Sequence, residues 1–193
     1  MPGPATPDPV PPAALTPDDL DALLEVAVEA ARAAGEAAMG WWARGHGPGD
    51  RLQVEEKTGP GDLVSQADRD AEQAIRDVLA RRRPDDAVLG EETGSTAGRS
   101  GVRWVVDPVD GTTNYVYGRT EWCVSVAAVD DRDGRLLAGA VLEPAVGDRL
   151  TAARLGGGTT CDGHPVRVRR PESLALAVVE LGLGRAAQRR RAG

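Results

Sequence analysis

Between Thr16 and Trp41 the apolar and polar positions separate onto opposite faces of a helix. Leu20, Leu24, Ala27, Ala31, Ala34, Ala38 and Trp41 share one face, and Asp21, Glu25, Glu29, Arg32 and Glu36 share the other. Thr16 suits the cap, Pro17 the first helical position, and Asp18 and Asp19 the positive N-terminal end. The glycine-rich run Gly45-His46-Gly47-Pro48-Gly49 ends the pattern. A second helix is announced by Ser65-Gln66-Ala67-Asp68, which has capping-box spacing with Asp in place of Glu. Ala67, Ala71, Ala74 or Ile75, and Val78 carry its period, and Arg81, Arg82 and Arg83 sit at its negative end before Pro84. That arginine trio reads as dipole complementarity and solvation, not as an anion site.

Beyond Pro84 the pattern shortens to β-type runs broken by turns. The spacing predicts strands at Ala87-Val88-Leu89, Arg103 to Val106, Trp122 to Val129, Leu136 to Leu142, Arg149 to Ala152, Val166 to Val168 and Leu174 to Leu181. Asp133-Gly134, Asp162-Gly163 and Gly147-Asp148 are the expected hairpin turns. Strands joined by tight turns imply an antiparallel sheet, because parallel neighbours need long crossovers. The predicted class is therefore α+β, with two N-terminal helices packed on a mainly antiparallel sheet.

Composition narrows the partners. The chain has 193 residues, 41% of them apolar, enough for one domain with a core and short tails. Its net charge of -7 argues against nucleic acid or an anionic membrane as partner, since both call for a basic footprint. An acidic protein that binds a phosphate ester needs bound cations to supply the positive field. Residues 1–16, rich in Pro and Ala, read as a disordered leader with no signal or anchor character, and a cytoplasmic location is expected. Cys123 and Cys161 belong to no CxxC or His-rich cluster and read as two buried, reduced thiols.

The candidate chemistry lies in Trp104-Val105-Val106-Asp107-Pro108-Val109-Asp110-Gly111-Thr112-Thr113-Asn114. An apolar strand runs into Asp107, and Pro108 is expected to end it as a central strand. Asp107 and Asp110, across one turn, can converge with the Val109 carbonyl on one point. Oxygen donors of that kind suit Mg²⁺ or Mn²⁺; zinc would favour His or Cys. Gly111, Thr112 and Thr113 add exposed N–H groups and hydroxyls suited to phosphate oxygens. Taken alone, the segment reads better as a polar turn with Asx-type hydrogen bonds. Two more acidic features bear on it: Glu91 and Glu92 at the end of a short strand, and Asp68 in the first turn of the second helix. Their plain readings are an exposed loop pair and helix-end electrostatics, and Lys57 is by default a solvated lysine.

Asp107 to Asn114, with Trp104-Val105-Val106 before it and Tyr115-Val116-Tyr117-Gly118 after it, resembles the first signature of the inositol monophosphatase family. So does the order Lys57, Asp62 to Asp68, Gly90-Glu91-Glu92 and Gly156 to Gly163, so the similarity runs from the first helix to about Gly182 or Arg185. Thr112-Thr113-Asn114 favours this branch over the fructose-bisphosphatases and nucleotide bisphosphate phosphatases of the same superfamily. The resemblance implies a sugar-phosphatase-like fold with two or three Mg²⁺ ions, Mn²⁺ serving as an alternative. It makes Glu91, Asp107 and the Val109 carbonyl ligands of one ion, and Asp107 and Asp110 ligands of a second. It gives phosphate binding to Gly111, Thr112 and Thr113, and orientation of an attacking water to Thr112 with Asp68 or Glu91. The implied partner is a small-molecule phosphate ester, myo-inositol 1-phosphate or a similar polyol phosphate, with histidinol phosphate or sugar phosphates as alternatives. A homodimer is the family's usual assembly.

Family members continue into a second α/β layer with a W-D-x-A-A-G-like signature whose Asp is a further ligand. Nothing after Arg185 resembles it, and residues 185–193 form a basic tail. The expected domain is therefore 17–184, lacking that layer, with impaired activity and an uncovered sheet face. The alternative expectation is a non-catalytic remnant or metal-binding module of the same family.

Overall fold

In the computed structural model of the chain, residues 15–45, 55–56, 63–169 and 172–177 are described, with backbone alone at 55, 56, 63, 64 and 174. Lys57 and Asp62, the first fourteen residues and the basic tail lie outside the described residues.

Helix α1 (Pro17–Gly45) starts where the sequence places its cap. The Thr16 amide and hydroxyl donate to Asp19 Oδ2 at 2.8 and 2.7 Å, and the Asp19 amide donates back to Thr16 Oγ1 at 3.2 Å. This exchange satisfies donors that the first turn cannot pair internally. The buried stripe is wider than the period suggests: Leu23, Val26 and Ala30 join it, whereas Leu24 and Trp41 are only half-buried. The reason is that α1 packs on two partners, helix α2 (Gln66–Arg82) and the sheet. Small residues permit the close approach. Ala27, Ala30, Ala31, Ala34 and Ala38 of α1 and Ala67 and Ala71 of α2 are fully buried. On α2 the period resolves onto Ile75, with Ala74 half-buried. Arg81 and Arg82 reach across to Glu29 of α1, and Arg83 pairs with Asp86, so the trio does more than meet solvent.

Two short strands, β1 (Glu55–Glu56) and β2 (Leu63–Val64), pair antiparallel before α2. The main sheet is formed by β3 (Ala87–Gly90), β4 (Ser95–Thr96), β5 (Val102–Asp110), β6 (Cys123–Asp130), β7 (Leu136–Glu143), β8 (Arg149–Arg154), β9 (Gly158–Cys161) and β10 (His164–Val166). Their spatial order is β10-β9-β8-β7-β6-β5-β3-β4, and every adjacent pair is antiparallel except β3 with β5. The α+β class and the mainly antiparallel sheet stand as the sequence implies. Alternation along β6 buries Val124, Val126 and Ala128 beneath α1. The opposite row, Leu89, Val105, Ala127, Gly139 and Ala153 in register across five strands, is partly exposed. The three expected turns occur, with positive φ at Gly134, Gly147, Asp148, Asp162 and Gly163.

Several sequence expectations need correction. Strand β5 does not stop at Pro108. Its pairing skips from Asp107↔Ser125 to Asp110↔Cys123, an irregularity that carries the proline past a ladder position its missing N–H could not fill. The residues after Gly111, for which the sequence predicts no element, form a short helix, α3 (Thr112–Val116). Strands β1, β2, β4 and β9 were not anticipated, and the strand expected at Val166 to Val168 lies instead at His164–Val166, with 167 and 168 outside it. In the predicted strand from Leu174 to Leu181, Leu174–Leu176 is a turn of 3-10 helix, and 178–181 lie outside the described residues. Cys123 and Cys161 are free thiols as expected, but both are half-buried, not buried.

Candidate metal centre

The parallel pairing of β3 with β5 puts the ends of both strands at one edge. Gly90 stands opposite Val106, so the next residues along, Glu91 and Asp107, are neighbours. Burial, then the charge of Glu91 and then that of Asp110 push the Asp107 carboxyl up to about 7, helped by a hydrogen bond to Glu91. Against these, the Val109 amide donates to Asp107 Oδ1 at 3.2 Å, an Asx-type contact that holds the turn. Near neutral pH the Asp107 carboxyl is therefore poised between its protonated and ionised forms.

Asp110 is exposed, and the Cys123 thiol lies 3.7 Å from its Oδ2. Burial, followed by Asp110, pushes that thiol up to about 12. It is consequently a neutral, unreactive neighbour. Gly111 holds φ +94, and a Cβ there would stand 3.0 Å from the Glu121 carbonyl, so glycine alone fits the reversal into α3. Thr112 and Thr113 open that helix, where backbone amides have no carbonyl one turn earlier to bond. The Thr112 hydroxyl lies 3.1 Å from the Val109 carbonyl and 3.3 Å from Asp68 Oδ1.

Asp68 is buried and has two tasks. Its Oδ2 accepts from the Ser65 amide at 2.8 Å and the Ser65 hydroxyl at 2.6 Å, closing the capping box of α2. Its Oδ1 faces Thr112. Tyr115 anchors α3 from beneath: its hydroxyl donates to the Ala38 carbonyl at 2.6 Å, and its ring meets Trp42 and Trp122 edge-on at 5.2 and 4.9 Å. Asn114 ties the same helix to the Glu121 carbonyl at 2.7 Å. An open cavity of about 420 Å³ adjoins the turn, lined by Asp110, Gly111, Asn114, Trp122, Cys123 and Glu143 among others.

The structure thus brings Glu91, Asp107 and Asp110 to one edge, and Asp68 and Thr112 to contact; Thr113 is exposed beside them. Among the described residues, no three His, Cys, Asp or Glu side chains stand close enough to enclose an ion as placed. In donor type the set still fits a hard divalent cation. Carboxylates gathered beside a carbonyl are oxygen donors of the kind that Mg²⁺ or Mn²⁺ takes. Sequence reasoning missed Glu72, a fully buried carboxylate on α2 that accepts bonds from the residues following Glu91. Position 72 lies one turn past Asp68 at the margin of the apolar stripe of Ala71 and Ile75, where a charged residue reads as solvent-facing.

The sequence pattern described as "Inositol monophosphatase family" matches residues 19–192. An inositol-1-monophosphatase of Rhizobium meliloti is 42% identical over 162 residues, which cover 83% of this chain and 58% of that protein. The Nus factor SuhB of Pasteurella multocida is 35% identical over 164 residues, covering 84% and 58%. Among solved structures, the extragenic suppressor protein suhB from Bartonella henselae superposes with a TM-score of 0.72 at 36% identity, covering 79% of this chain and 57% of that one. The Thermotoga maritima IMPase gives 0.65 at 30% identity, with 81% and 56% covered. The chain spans a little over half the length of the curated relatives it matches.

Proposed function

The chain belongs to the inositol monophosphatase family, and from that premise we propose that it is a Mg²⁺-dependent phosphomonoesterase domain for myo-inositol 1-phosphate or a similar small polyol phosphate. The observation that carries this reading is the gathering of Glu91 and Asp110 about the half-buried Asp107, whose carboxyl burial and then those two charges raise to about 7. Crowded carboxylates destabilise one another unless a proton or a cation joins them. Glu91, Asp107 and the Val109 carbonyl would hold one ion, and Asp107 with Asp110 a second. When bound, such ions neutralise phosphate charge and lower the pKa of a water.

The chain's own residues do the rest. Ser65 fixes one oxygen of Asp68, so the other is aimed at Thr112. With its proton directed to Asp68 or to the Val109 carbonyl, the Thr112 hydroxyl keeps a lone pair for a water and orients it. The amides at Gly111, Thr112 and Thr113 would take phosphate oxygens. The adjoining cavity beside Asp110 and Asn114 is open enough for a polyol. A net charge of -7 explains why cations must mediate, since the protein cannot draw an anion by its own field.

The test is phosphate release from inositol 1-phosphate by the purified chain, with and without Mg²⁺, beside Asp110→Asn. Release that needs Mg²⁺ and falls at least about tenfold in the variant supports the reading, and release indifferent to the substitution refutes it. A second reading, a metal-binding domain without catalysis, is favoured by the chain spanning only a little over half the length of the relatives it matches. Tight Mn²⁺ binding without phosphate release would select it. Histidinol phosphate and sugar phosphates are the comparison substrates.

A further inference from the structure

Helix α2 carries two buried carboxylates one turn apart, and only the first belongs to the site described above. Asp68 braces Thr112. The second, Glu72, has a side chain with no exposed surface, and it holds the segment that follows Glu91. Its oxygens accept from the Glu92 amide at 2.7 Å, the Thr93 amide at 3.2 Å and the Thr93 hydroxyl. Arg76 completes the set, donating from Nε at 2.9 Å while its Nη1 and Nη2 reach Thr96 Oγ1 at 3.1 Å and the Gly94 carbonyl at 2.7 Å. A Cβ at Gly90 would land on the Glu72 carboxylate, so that glycine makes room for it.

We propose that Glu72 is a positioning residue for the metal centre, fixing the backbone on the far side of Glu91 so that this ligand is presented to Asp107. On the near side, Gly90 is already locked by its pairing with Val106. Glu91 is the one residue between two fixed points, and its side chain has little freedom to leave Asp107. Burying a carboxylate is costly unless it is fully bonded. Here each bond to Glu72 comes from its own helix or from the turn carrying the ligand, so its removal loosens that turn in particular. Outer partners that orient metal ligands act in this way. The inference rests on the metal reading given above for Glu91 and Asp107.

The experiment titrates Mn²⁺ into the purified chain, following free Mn²⁺ by electron paramagnetic resonance. Wild type is compared with Glu72→Gln and Thr93→Val; Thr93 is exposed, so its variant does not threaten the core. In parallel, amide exchange at Glu92 and Thr93 is measured without metal. Glu72→Gln is expected to weaken Mn²⁺ binding about tenfold or more, and Thr93→Val less but in the same direction. Exchange at both amides should quicken. Variants that bind Mn²⁺ as wild type does overturn the role of Glu72, even if they unfold at lower temperature, because a merely structural tie would lower stability alone. Should Glu72→Gln fail to fold, Thr93→Val decides by the same criterion. A wild-type chain that binds no Mn²⁺ removes the metal centre itself and this inference with it, a result distinct from unchanged variants.

Discussion

In metal-free protein the Asp107 carboxyl is its own reporter, and Asp107→Asn is the perturbation that reads it. The folded chain raises this group from 3.8 to about 7, first through burial and then through Glu91 and Asp110. Between those values the folded state holds a proton that the unfolded state releases, so stability falls as pH rises. The favourable contribution is complete below about 3.8 and is lost as pH passes through about 7. At roughly 1.4 kcal/mol per pH unit the interval has an upper bound of ~4 kcal/mol, and water at this half-buried carboxyl screens it to ~1–2 kcal/mol. Urea unfolding in EDTA at pH 5 and pH 8 measures the loss. Wild type should lose ~1 kcal/mol more over that interval than Asp107→Asn, which has no carboxyl to ionise. The lowered carboxyls do not obscure this. Glu72 is held below its ordinary value by Thr93, Glu92 and Arg76 despite its burial, so its contribution is present throughout the interval and disappears only in more acid solution. Parallel pH profiles for the two proteins would refute the crowding on which the metal reading rests. Added Mg²⁺ should reverse the trend, because it binds the ionised form and gains as protons leave.

Two further substitutions test how the site is supported. Ser65→Ala removes a buried hydroxyl that bonds Asp68 at 2.6 Å and should cost ~1 kcal/mol in chemical denaturation; an unchanged midpoint would show that the box is not needed to hold Asp68. Trp104→Phe deletes the indole N–H that donates to buried Asp86 at 2.9 Å and should cost ~1–3 kcal/mol. A neutral result there would mean that Arg83 alone satisfies the carboxylate.

Helices α1 and α2 were legible because each is long and both caps use the reciprocal Ser/Thr–Asp exchange that spacing reveals. The hairpins were legible for the same local reason, a turn residue at a fixed offset between alternating runs. Elements that depend on partners were not. Nothing in Ser95–Thr96 marks a strand; it pairs only because β3 lies beside it. The helix at Thr112–Val116 is too short for a period, and it is held by Tyr115 through a bond to Ala38 far back along the chain and by Asn114 through one to Glu121. Pro108 argued for a strand end, and only tertiary pairing shows the bulge that lets β5 pass it. The acidic residues of the site could be picked out one by one. Glu72 could not, because a charged residue at the margin of a helical stripe reads as solvent-facing until its partners are known.

Side-by-side delivery of Glu91 and Asp107 by parallel strands makes the pair behave like the two scales of a vernier. Removing one residue from Ala87–Gly90 would slide one scale by ~3.3 Å and turn Val88 out of the core. It would also carry the carboxylate at its end to the wrong side of the sheet. A deletion of equal size in the 131–135 turn would leave both scales aligned. Length changes in this chain should therefore be judged by whether they fall between the core and that edge.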